Sequence, residues 1–151
     1  MSKLRRLSTL SGPDLLLLTE AVAFVLAVEI GLRLLRPKWC LAIAQRAAGG
    51  RNLPGPADRE RLAWLVDAAD RYAPGRSTCL RRALVLAWML GRRGIRSRLA
   101  VGVARRGERL LAHAWLETED GRAFGPADAH AYACLPLSGD STRGTGTGFC
   151  G

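Results

Sequence analysis

The chain has no glycine-rich phosphate loop: neither GxxxxGK[ST] nor a GxGxxG after a strand-like segment occurs. Its four cysteines form no CxxC pair. The spacings of 39, 55 and 16 residues along Cys40, Cys79, Cys134 and Cys150 do not suit a zinc site, so neither metal nor cofactor is expected. Histidine is scarce, with only His113 and His130. No internal repeat appears, and no helix-turn-helix, zinc-finger or aromatic-platform signature. A clean signal peptide is missing too. Lys3, Arg5 and Arg6 make a basic start, but Pro13 and Asp14 interrupt the apolar stretch and no small-residue cleavage site follows. The four thiols are therefore expected to be reduced, in a cytoplasmic protein.

What is present fits one compact globular domain. The chain has 151 residues, 48% apolar and 24% charged. The net charge of +10 is unevenly placed: residues 75–110 carry ten positive groups and one negative, whereas residues 111–151 carry two and five. Such a block serves a solvated surface, or steers an acidic peptide, nucleic acid or anionic membrane. Leu15 to Leu35 is strongly apolar, but Glu20, Glu29 and Arg33 interrupt it, which favours a buried or membrane-surface helix over a transmembrane span.

Along the chain, Ser11-Gly-Pro-Asp14 opens a helix that Pro37 stops after Arg36. A second helix is expected over Lys38 to Ala48, ending at Gly49-Gly50, and residues 51–57 read as a loop. Ala57 to Tyr72 is amphipathic, with Leu62, Leu65, Val66 and Ala69 at i, i+3, i+4 and i+7. Ser77-Thr78-Cys79 opens a helix to Arg93, apolar on every face between Ala83 and Leu90 and hence central. The period then shifts to two. Arg98 to Ala104 and Arg109 to Thr118 read as strands around a turn at Arg105 to Glu108, and Glu119-Asp120-Gly121 turns into a third short strand, Arg122 to Gly125. The tail after Leu137 is expected to be disordered. The expected fold class is α+β: a helical N-terminal region (1–50), a core (51–137) with three antiparallel strands, and a flexible tail (138–151).

Cys79 falls in the first turn of the central helix, where unpaired N–H groups and the helix dipole stabilise a thiolate. Arg76, Arg81 and Arg82 are expected to add positive potential. With two histidines in the chain, a base for Cys79 is His113 or His130; His113 lies on a strand, with Leu111, His113 and Trp115 on one face and Ala112, Ala114 and Leu116 on the other. Asp128, after the third strand, is preferred over Asp120 as the group that orients the imidazole, because Asp120 sits where a turn itself favours an acid. Cys79, His113 and Asp128 together make a nucleophile–base–orienter set.

Helix, strand, strand is also the chain order of transglutaminase-like cysteine enzymes. The series Thr78-Cys-Leu-Arg-Arg-Ala-Leu84, Leu90-Gly-Arg-Arg-Gly-Ile95, Leu99-Ala-Val-Gly-Val103 and Ala112-His-Ala-Trp-Leu-Glu117 resembles the leader peptidases of lasso-peptide biosynthesis. The resemblance implies a transglutaminase/papain-like core with the Cys-bearing helix packed on a small antiparallel sheet. It also implies a stand-alone protease that cuts a ribosomally made precursor peptide between leader and core. Its implied partners are a separate small leader-binding recognition protein and an ATP-dependent lasso cyclase, because 151 residues leave no room for a fused recognition domain. The Thr118-Glu-Asp-Gly121 turn is longer than the family pattern, which bears on Asp128 but not on Cys79 or His113. Two other readings stay open: a transglutaminase-like acyltransferase, and a basic module that binds nucleic acid or an anionic surface.

Overall fold

The computed structural model describes residues 12–34, 56–126 and 129–135. Three α-helices lead into a four-stranded antiparallel sheet: α1 (Gly12–Leu34), α2 (Pro56–Tyr72), α3 (Cys79–Gly91), β1 (Ser97–Arg106), β2 (Arg109–Thr118), β3 (Ala123–Phe124) and β4 (Ala133–Cys134). A short 3-10 helix, Ala129–Ala131, precedes β4. The expected helix at Lys38 to Ala48, its Gly49-Gly50 break and the tail after Leu137 lie outside the described residues.

The helices form where the apolar spacing demands them. Leu62, Leu65, Val66 and Ala69 of α2 are buried as their 3.6-residue spacing requires. In α3 the whole run from Ala83 to Ala87, together with Met89 and Leu90, is buried, because the helix packs against α1, α2, β1 and β2 at once. Phe24 of α1 stacks on Trp88 of α3, with ring centroids 4.4 Å apart, and the Arg92 guanidinium lies 5.7 Å from the Phe24 ring centre. Gly94 ends α3 two residues earlier than expected, at Gly91. Its φ of +81° lets its N–H reach Gly91 O (2.9 Å) and the Ile95 N–H reach Leu90 O (3.1 Å), a Schellman closure that turns the chain directly into β1.

β1 is longer than expected and the turn shorter, whereas β2 keeps its expected bounds and β3 is shorter. β1 and β2 pair from Ser97↔Thr118 to Arg106↔Arg109, so only Gly107 and Glu108 turn the hairpin. The sheet order is β3-β2-β1-β4. The fourth strand corrects the expectation of three: Ala133 and Cys134 pair with Val103 and Gly102 of β1, two residues too short to show any period in the sequence. A second correction concerns the thiols. Cys134 is disulfide-bonded, so the expectation of four reduced cysteines fails; Cys79 is free.

Leu99, Ala114 and Leu116 join the buried cluster of the three helices, with Val101 and Phe124 packed against it. Trp115 turns the other way. On that face it meets Gly102, Gly125 and Tyr132, its indole Nε1 donating to Glu117 (3.0 Å). The sheet thus has helices on one face and the segment after β3 on the other.

α1 carries three acids, and each is tied to the body of the protein. Arg61 Nε donates to Asp14 (2.6 Å), Arg93 and Arg92 reach Glu20 (2.7 and 3.2 Å), and Arg81 and Arg33 reach Glu29 (2.9 and 2.8 Å). The Arg81 guanidinium foremost, then Arg33, holds the Glu29 carboxyl below its ordinary 4.5. The Thr118 hydroxyl, then Arg59 and Arg122, holds Asp120 below its ordinary 3.8. Both groups are more acidic folded than unfolded, so the stability they add is present above those ordinary values and is lost as pH falls through and below them. The thermal midpoint is therefore expected to hold from neutrality down to about pH 5 and to fall steadily below it. Circular dichroism melts across that range check this; a midpoint unchanged into the pH 3 region, give or take about a degree, would contradict it.

Candidate active site

α3 begins at Cys79, and its cap is built by the residue before it. Thr78 is extended (φ −128°, ψ 149°), its hydroxyl accepts from the Arg81 N–H (3.1 Å), and its carbonyl accepts from the Arg82 N–H (3.1 Å). The two amides left without an acceptor inside the helix are those of Cys79 and Leu80. The Cys79 side chain is half-buried, at the margin of the helical core.

The loop that delivers Cys79 is fastened by one arginine. Arg81 is fully buried and fans out to four acceptors: Asp70 Oδ1 (2.5 Å), the Asp70 carbonyl (3.2 Å), Glu29 (2.9 Å) and the Pro74 carbonyl (3.1 Å). Ser77, two residues before Cys79, donates its hydroxyl to the other Asp70 oxygen. Helices α1, α2 and α3 and the loop between the last two thus meet on one guanidinium, whose planar fork suits several oxygens at fixed angles. The sequence held a signal for this: Asp70 follows Ala69 and lies four residues after Val66, on the apolar stripe of α2, where an acid needs a partner.

This corrects the reading of the basic block. Arg81 adds no surface potential, and Arg82 pairs with Asp67 (3.1 Å). With Arg92 and Arg93 on Glu20, Arg96 on Glu119 and Arg98 on Glu117, six of the ten arginines between residues 75 and 110 face acids supplied by other segments. A field that is answered locally steers little at a distance.

His113 is half-buried near the middle of β2, opposite Gly102 on β1. Along β2, Ala114 and Leu116 point to the helices, while His113 shares the Trp115 face. From Arg105 to Ala112 the hairpin is exposed.

On its own face His113 meets Tyr132, with ring centroids 5.9 Å apart and planes inclined by 48°. Tyr132 sits between the 3-10 helix and β4, and no periodicity in the sequence marks it. Gly102 makes room for it: a Cβ there would lie 2.8 Å from both Trp115 Cη2 and Tyr132 Cβ. Gly102→Ala is accordingly expected to cost about 1–3 kcal/mol and to push Tyr132 off the imidazole. Urea unfolding reads the first effect, and the His113 ring proton shifts read the second.

Asp120 is no neighbour of His113. It lies beyond the end of β2, past Thr118, which is itself five strand residues or about 17 Å from His113. Its carboxylate is engaged by the Thr118 hydroxyl (2.5 Å), Arg59 and Arg122. Asp128 lies outside the described residues. His130 is exposed on the 3-10 helix.

These elements define a mixed α+β domain organised around a helix that starts at a free cysteine. The chain belongs to the transglutaminase-like superfamily, whose sequence profile it matches over residues 22–136, from the middle of α1 to just past β4. That superfamily commonly comprises cysteine peptidases and acyltransferases. No curated protein and no solved structure matches the chain.

Proposed function

We propose that this protein is a cysteine peptidase that removes the leader from a ribosomally synthesised lasso-peptide precursor. The observation that carries the chemistry is Cys79 at the capped start of a buried helix, in a chain of the transglutaminase-like superfamily. The narrower substrate class rests on the motif series from Thr78 to Glu117.

In this reading the Cys79 sulfur attacks the scissile carbonyl while His113 takes the thiol proton. The backbone N–H groups of Cys79 and Leu80 receive the developing oxyanion. His113 then passes the proton to the departing core amine, leaving the leader as a thioester. Water, deprotonated by His113, cleaves the thioester and restores the thiol. Asp128 is the proposed orienter of the imidazole. The neighbours of Asp128 support this, since Gly125 packs against Trp115 and Tyr132 against His113 on the same face. A separate leader-binding protein presents the precursor, and an ATP-dependent cyclase takes the freed core; both are proposed partners, in the cytoplasm.

Mass spectrometry of a lasso precursor incubated with the purified protein, with and without a leader-binding protein, tests the reading. Free leader acid and free core amine are expected. Leader joined to an added amine, with little free acid, would instead establish an acyltransferase, which shares the thioester and differs only in the acceptor.

A further inference from the structure

The outward face of α1 is apolar along its whole length. Leu15, Leu16, Val22, Leu26, Ile30 and Leu34 are exposed, at 59, 74, 37, 39, 58 and 77% of their surface, and Ala23 and Ala27 lie between them. The spacing follows one side of a helix of 23 residues, about 34 Å long. By length and composition α1 could cross a membrane, yet its three acids anchor it sideways to Arg61, Arg92, Arg93 and Arg81. Every acid of the helix is thus turned to the protein. The one hydroxyl outside, Thr19, donates back to the Leu15 carbonyl (2.8 Å), so it needs no water. Arg33 alone is charged on the exposed side, at the very end of the helix, where a long side chain reaches a lipid headgroup.

Charge decides what covers this face. Residues 1–13 contain Lys3, Arg5 and Arg6 and no acid; residues 30–57 contain Arg33, Arg36, Lys38, Arg46 and Arg51 and no acid. In the sequence, eight cations and no acid thus border the segment that carries the apolar stripe. A second copy of the chain would add eight more positive charges and no acid from these segments, whereas an anionic bilayer answers both the stripe and the cations. We propose that α1 lies flat on an anionic membrane surface through Leu16, Leu26, Ile30 and their neighbours, holding the sheet and its candidate active site at the bilayer. This docking is independent of the reaction proposed above.

The test is co-sedimentation of the full chain with sucrose-loaded vesicles of phosphatidylcholine alone or with phosphatidylglycerol at roughly three parts in ten, in low and in high salt. Binding is expected on the mixed vesicles, at least about tenfold weaker on the neutral ones and weakened by salt. Leu16→Gln/Leu26→Gln/Ile30→Gln, all at exposed positions, is expected to keep the far-ultraviolet circular dichroism and to lose binding by at least about tenfold. Equal binding of the wild type to both vesicle types would overturn the assignment to anionic lipid. No binding to either would overturn membrane docking, and self-association in sedimentation velocity, abolished by the same variant, would give the face to a second copy instead. The wild-type arms stand even where the triple variant does not fold.

Discussion

Cys79→Ala is expected to abolish precursor cleavage, by roughly a thousandfold or more, while the protein stays folded. The side chain is half-buried at the edge of the core, and its loss leaves the Thr78 cap and the Arg81 ties untouched. His113→Ala is expected to fall as far, because a thiol without its base and a base without its thiol fail at the same step. For that reason the double variant should be no slower than either single one; an additive loss would mean that the two residues do not act as a unit. Asp128→Asn is expected to cost roughly a hundredfold and Asp120→Asn almost nothing, since Asp120 serves the turn after β2. Initial rates by liquid chromatography, with melting curves as a folding control, read all five. Near-normal turnover in Cys79→Ala would end the thiol mechanism outright.

The largest effect on stability is expected from Arg81→Met. Arg81 is wholly enclosed and Asp70 is only 1% exposed, so removing the guanidinium leaves a carboxylate with no water to replace it. Breaking one side of such a pair costs about 3–5 kcal/mol, a large part of the stability of a domain this size. Arg81→Met/Asp70→Leu, which removes the buried charge along with its partner, is expected to recover a good share of that loss. Urea unfolding of the two variants decides it: if the double substitution is as damaged as the single one, the network holds by packing and not by charge. The recovered protein should still cleave poorly, because Ser77 and the Pro74 carbonyl would no longer be held and the loop before Cys79 would lose its position.

The long-period and short-period elements were readable in advance because burial imposes them residue by residue. Leu62, Leu65, Val66 and Ala69 had to share a side, and so did Ala114 and Leu116. The capped start at Thr78-Cys79 was equally local, a matter of one hydroxyl and the amide three residues on. β4 was not readable, since two residues have no period and their pairing with Val103 and Gly102 is decided by β1. The partners of the arginines were hidden for a similar reason. A count of charges over residues 75–110 sees ten cations, but Glu20, Glu29, Asp67, Asp70, Glu117 and Glu119, which answer six of them, come from elsewhere in the chain.

By itself, then, the sequence determined the α+β order, the helix that starts at Cys79 and the strand that carries His113, all products of spacing over a few residues. Only the tertiary structure decided that Tyr132 meets the imidazole, that Arg81 is a buried fastening rather than a surface charge, and that α1 keeps an apolar face outward. Each of these depends on which distant segment fills the space beside a side chain, and short-range periodicity carries no information about that.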